Sequence, residues 1–183
     1  HKKSIPIIEI SKDIARLNLI NYRVSKVSSI PQLRPSDLTS VIKESVNYLQ
    51  KRSSEHIKFK IQLPNKKIII PLNSQLISWT LENLIKNGID AMNGKGNLNI
   101  RLLEKASEIE ILISDTGSGM KKEVANKIFK PGFKTKSRGW GLGLSLAKRI
   151  IVDLHKGKIS VLKTVMGQGT RFKERVKKAT VKK

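Results

Sequence analysis

The chain has 183 residues, enough for one ordinary domain and an appendage, and 38% of them are hydrophobic, so a core can form. It contains no cysteine, which excludes a disulfide scaffold, a cysteine-held metal and thiol catalysis. The formal charge of +23, from 37 Lys+Arg against 14 Asp+Glu, calls for an anionic partner or reflects a lysine-rich composition spread over the surface. The scattered lysines and an aromatic content of 4% favour the second reading, so no specific nucleic acid is expected.

No apolar run approaches the roughly 20 residues of a membrane span, and the N-terminus has no signal-peptide core. The fragment therefore reads as a cytoplasmic domain, whose full-length protein could still be membrane-anchored.

Residues 5–27 read as a helix with Ile7, Ile10, Ile14, Leu17, Asn21 and Val24 on a heptad seam. The seam suits a helical hairpin, a dimer or an ordinary amphipathic helix. Prolines 31 and 35 and serines 28 and 29 break it, so residues 29–35 read as a linker. Ser36 or Asp37 then caps a helix to about Lys51. His56–Leu63 alternates as a strand, and Lys67–Pro71 is a second short one. A long helix runs from Asn73 to about Met92, and residues 93–96 turn the chain. Leu98–Leu103 and Ile109–Ser114 form a hairpin. A short helix spans about Lys122–Phe129, and a polar stretch covers 130–140. A glycine-led helix extends from Gly141 to about Leu154, and strands at 158–163 and 170–176 close the domain. Glu174 falls in phase with Phe172 and Val176, where the strand should be apolar, so an irregular tail is expected. His56 and His155 carry no motif and read as surface residues. The class is α+β, a mixed sheet covered by helices on one face.

Four segments carry chemistry. The run Gly139-Trp140-Gly141-Leu142-Gly143-Leu144 leads into a helix, where flexible backbone and unpaired N–H groups make a phosphate cradle. In the helix from Asn73, the residues Asn83, Asn87 and Asp90 form a polar stripe beside the apolar one. An amide oxygen there is a hard ligand suited to Mg²⁺. Asp115 stands at a strand end, where a carboxylate can accept a bond from an amino group such as that of adenine. Thr116, Gly117 and Gly119 follow it. The basic loop Phe129–Arg138 supplies Lys134, Lys136 and Arg138 as a lid over phosphates. The chain lacks the P-loop, the third glycine of the dinucleotide fingerprint and the protein-kinase signatures.

In order and spacing these segments resemble the ATP-binding domain of sensor histidine kinases, in the wider group with Hsp90, DNA gyrase B and MutL. Asn83–Ala91 looks like the N box, Asp115–Gly119 the G1 box, Phe129–Lys136 the F box and Gly139–Leu144 the G2 box. Gly167–Phe172 looks like the closing G-x-G-T-x-F strand. The resemblance covers about 36–176, leaving 177–183 as a basic tail, and residues 1–28 look like the second helix of the phosphotransfer hairpin.

The resemblance implies that Asn87 holds Mg²⁺ against the triphosphate and that Asp115 reads the adenine amino group with Thr170 in support. It implies backbone N–H groups from Gly141, Leu142, Gly143 and Leu144 on the phosphates. Asn83, Asp90, Ala91, Gly117, Gly119, Met120, Thr135, Gly139 and Trp140 complete the binding set, and Lys136 is the candidate catalytic residue. It further implies a response-regulator receiver domain as partner and a homodimer through the N-terminal helices. Gly88 departs from the alanine usual there. His1 has only the proline spacing of a phosphoacceptor box, with Lys2 in place of the expected acid, so the phosphoacceptor hairpin is incomplete and the fragment alone should autophosphorylate little. The alternatives are a related ATPase or clamp, or a basic module binding nucleic acid or membrane.

Overall fold

Asp37 ends a strand and starts a helix. Its carboxylate accepts bonds from Thr39 N–H at 3.0 Å, Thr39 Oγ1 at 2.6 Å, Ser40 Oγ at 2.9 Å and Ile68 N–H at 3.2 Å. Desolvation pushes this carboxyl up, but the four bonds outweigh it and hold it at about 2. The computed structural model describes residues 32–133 and 141–178. The helix of residues 5–27, its seam and His1 lie outside the described residues.

In chain order the elements are β1 (Arg34–Asp37), α1 (Leu38–Gln50), β2 (Ile57–Gln62), β3 (Ile69–Leu72) and α2 (Ser74–Ala91). There follow β4 (Gly96–Glu104), β5 (Glu108–Asp115), α3 (Lys122–Ala125) and α4 (Gly143–Arg149). A π-helical turn (Ile150–Leu154) and the strands β6 (Lys158–Val165) and β7 (Gly169–Lys177) complete the unit. β1 and β3 form a two-stranded antiparallel ribbon, so Arg34 and Pro35 are part of a strand. The other strands form one sheet in the order β2-β4-β5-β7-β6. Its pairs are antiparallel except β2 with β4. This is the mixed sheet expected of the α+β class.

One face of the sheet meets the helices. Leu98, Ile100, Ile109, Ile111, Ile113, Phe172 and Val176 point into the core with Leu38, Ile42, Ile77, Leu81, Leu84 and Ile85. Alternation along each strand leaves the other face polar. Asn73 caps α2 by accepting from Leu76 N–H at 3.1 Å. Among the described residues, no helix is long and apolar enough to cross a membrane.

The structure corrects three expectations. The glycine-led helix is α-helical only from Gly143 to Arg149. Its continuation widens, with His155 N–H bonding Ile150 O at 3.1 Å across five residues. That wider turn carries His155 inward. Only 5% exposed, it accepts from Asn73 N–H on Nε2 at 3.1 Å, and its Nδ1 lies 2.8 Å from Ile150 O. Finally, β7 stays regular to Lys177 and buries Glu174 completely between Ile111 and Ile159. The ladder on both sides of β7 holds the strand in register and outweighs the cost of burying one acid.

Candidate functional site

The site forms where the C-terminal half of α2 crosses the end of β5 and the start of β7. Asp115 is the last residue of β5 and only 7% exposed. Its Oδ1 accepts from Gly117 N–H at 2.9 Å and Thr170 N–H at 3.3 Å. These bonds aim the carboxylate along the cleft wall. Ser118 N–H donates to Ala91 O at 3.0 Å, which ties the loop after Asp115 to the end of α2. Gly167 N–H donates to Ser118 O at 2.7 Å and ties the same loop to the β6–β7 turn.

Thr170 is buried beside Asp115, and its Oγ1 lies 3.1 Å from Thr164 Oγ1. The Thr164 hydroxyl accepts from Met120 N–H at 2.9 Å. A short polar chain therefore runs from the loop after β5, through Thr164, to Thr170. Gly169 sits at φ +98°, and a Cβ there would run into the Asp115 carbonyl, so only glycine lets β7 start this close to β5.

The cleft has a volume of about 470 Å³. Of the predicted site residues, Asn87, Ala91, Asp115, Gly119, Met120, Leu144 and Thr170 line it. Asn87 on one wall and Asp115 with Thr170 on another thus face one space. Asn83 lies one turn before Asn87, against the start of α4. A Cβ on Gly143 would be 3.0 Å from Asn83 Oδ1. Gly141 runs against Gly132 and Phe133, while Leu142 precedes α4 and its carbonyl accepts from Leu146 N–H at 2.9 Å. Gly117 joins the site through its N–H. Asp90 is exposed and is not among the lining residues. Thr135, Lys136, Gly139 and Trp140 lie outside the described residues, as do Lys134 and Arg138.

Sequence reasoning did not single out Ser118, Lys121, Val124, Ile128 or Met166 as binding residues, yet they line the same cleft, as does Phe172 of the closing strand. Val124 and Ile128 carry a legible signal: an apolar pair four residues apart among Lys121, Lys122, Glu123, Asn126 and Lys127. Met166 is 58% exposed at the β6–β7 turn, where no periodicity marks it. Phe129 packs edge-on against Phe172 at 6.5 Å and closes the cleft floor.

Residues 73–180 match the family model of histidine kinase-, DNA gyrase B- and HSP90-like ATPases, and the chain belongs to that family. Within it, the similar proteins include sensor proteins and histidine kinases. The chain is 33% identical over 135 residues to the C4-dicarboxylate transport sensor protein DctS of Rhodobacter capsulatus, covering 71% of this chain and 20% of that protein. It is 31% identical over 143 residues to the signal transduction histidine-protein kinase AtoS of Escherichia coli K12, covering 77% and 23%. The catalytic domain of histidine kinase ThkA shares the fold with a TM-score of 0.74 at 27% identity, over 81% of this chain and 97% of that one. ThkA solved in complex with the response regulator protein TrrA gives a TM-score of 0.76 at 23% identity, over 100% of this chain and 54% of that one. The chain thus spans 20% to 30% of the length of the curated relatives it matches.

Proposed function

We propose that the cleft binds Mg·ATP and that the intact protein transfers the γ-phosphoryl group to a histidine, and from there to an aspartate of a response-regulator receiver domain. The observation that carries this reading is the convergence of Asp115, Thr170 and Asn87 on one cleft. A carboxylate aimed by two backbone N–H groups accepts from an exocyclic amine, and Thr170 stands beside it to hold a bridging water. Met120, Ile128, Leu144 and Phe172 offer an apolar bed for a flat base.

The donor set fits Mg²⁺. Among the described residues no cluster of three His, Asp or Glu side chains exists to cage a metal. One amide oxygen beside a triphosphate suits an ion that takes few protein ligands. Asn87 would hold it, and the ion would supply charge neutralisation on the phosphates. Backbone N–H groups at the start of α4 would meet the same charge, and Lys136 would reach it from the lid. Phosphoryl transfer asks mainly for such positioning.

Asn83 favours transfer over hydrolysis, because an amide does not take a proton from water. The neighbouring Glu82 accepts from Ser78 Oγ at 3.3 Å, and Ser78 in turn bonds Ser45 of α1 at 2.8 Å. It is not among the residues that line the cleft.

Likeness to ThkA, which was solved in complex with the response regulator protein TrrA, supports the receiver partner. In the intact protein residues 1–28 would pair two copies along the heptad seam; the linker expected at 29–35 would end before Arg34, which is paired in β1, and the basic tail expected at 177–183 would begin after Lys177, the last residue of β7. This domain would work in the cytoplasm, where ATP is.

Calorimetry with Mg·ATP tests the reading. The 183-residue chain should bind at or below millimolar nucleotide, and Asp115→Asn should lose at least about tenfold in affinity, since the amide presents a donor where an acceptor is needed. No binding at millimolar ATP, or unchanged binding by Asp115→Asn, overturns it.

A further inference from the structure

The sheet has a second face that no helix among the described residues covers. Residues opposite one another across the ladders project to the same side. On the open side one row runs Lys60, Asn99, Ser114, Arg171, Lys163. The next runs Gln62, Arg101, Leu112, Lys173, Ser160, and a third brings Glu110, Arg175 and Lys158 together. Lys58 stands beside Asn97 at the near end.

The acids on this face, Glu108 and Glu110, are already matched. Glu110 pairs with Lys173 at 3.8 Å, Glu108 pairs with Arg175 at 3.3 Å, and Lys177 stands opposite Glu108. Lys58, Lys60, Arg101, Lys158, Lys163 and Arg171 remain, all exposed and none in an ion pair with an acid of this face. Scattered along the sequence, these six are gathered on one surface by the strand order.

We propose that this face docks on the anionic headgroups of a lipid bilayer. Charge complementarity selects an anionic partner, because the patch is cationic with its few acids spent internally. Three features favour lipid over nucleic acid. Among the described residues, no aromatic side chain stands on the face to stack a base. The cations lie on four of the five strands, from one edge of the sheet to the other, about 19 Å across at ordinary strand spacing, instead of tracking one groove or strand. Four of the six are lysines, compact point charges that respond to a diffuse potential. Clusters of four to eight such cations are the size that recognises acidic headgroups. Leu162, at the β6 irregularity and 46% exposed, adds an apolar contact at the rim. The cleft opens among α2, α3 and the β6–β7 turn, so docking through this face does not use the nucleotide-lining side chains.

Vesicle co-sedimentation of the 183-residue chain tests this, with phosphatidylglycerol–phosphatidylcholine vesicles against phosphatidylcholine alone. Binding should require phosphatidylglycerol and weaken steeply with salt. The triple variant K60E/R101E/K158E should lose about a hundredfold in partitioning, while K43E/K51E/K148E on the helical side should lose far less despite the same net charge. Both variants should keep the wild-type melting temperature and Mg·ATP affinity, which separates this result from failure of the nucleotide reading. Absence of vesicle binding at low salt, equal loss in the two triples, or tighter binding to duplex DNA that vanishes in K60E/R101E/K158E would each overturn the proposal.

Discussion

Gly88 of α2 presses directly on Asp115 of β5. A Cβ placed on Gly88 would lie 3.1 Å from the Asp115 Cβ and 2.9 Å from Leu98 Cδ1. The glycine costs the helix roughly 0.5–1 kcal/mol relative to alanine. It lets the helix lie close enough for Asn87 and Asp115 to share one cleft.

Gly88→Ala should therefore change stability by less than about 1 kcal/mol, because the helix gain offsets the tight contact. Gly88→Val should destabilise by about 2–3 kcal/mol and weaken nucleotide binding more than tenfold, since the branched carbon drives into Leu98 and Asp115. Urea melts and calorimetry on the two variants check this. Wild-type affinity in Gly88→Val would show that the contact does not position Asp115.

Glu174 is fully buried, and neither carboxyl oxygen has a hydrogen-bond partner. Desolvation pushes its carboxyl up to about 8, from 4.5. A carboxyl raised in the folded state is an energetic cost once the unfolded chain ionises. Stability should fall as pH rises from about 4.5 and level off above about 8, a cost of up to about 5 kcal/mol. Glu174→Leu should melt higher than wild type at neutral pH and lack this slope. Melting temperatures across the range decide it, and parallel pH profiles for the two proteins would count against the buried acid.

His155 behaves with the opposite sign. Burial lowers its pKa from 6.5, although the bond to Ile150 O pulls it back. Its Nε2 accepts from Asn73 N–H and cannot do so when protonated. The stability from this bond is present above about pH 6.5 and is lost as pH falls below it. His155→Ala should cost about 1–3 kcal/mol near neutrality by leaving the Asn73 N–H and the Ile150 carbonyl short of a partner. It should also remove the acid-side decline. Denaturant titrations on the acid and neutral sides of pH 6.5 give the comparison.

Much of the site was legible in the chain. The four-residue step from Asn83 to Asn87 and the strand-end position of Asp115 depend only on helix and strand periods. The hairpin of β4 and β5 and the extent of α2 from Asn73 to about Met92 followed from apolar spacing. Glu174 defied such reasoning because strand alternation assigns a position to a face without saying whether a misfit acid bends the strand or is buried by it. His155 was misread because it carries no motif, and its burial depends on a helix that widens after Arg149.

By itself, the sequence determined most of the helices and strands, their order, and the residue types that could meet a nucleotide, since these depend on periods of 3.6 and 2 and on local caps; it missed β1, which exists only through its pairing with β3. Only the tertiary structure decided that Asn87, Asp115 and Thr170 share one cleft, that Gly88 is the contact letting them do so, and that scattered lysines converge on an open sheet face. Strand order and helix crossing set those distances, and both are settled by long-range packing that no local spacing encodes.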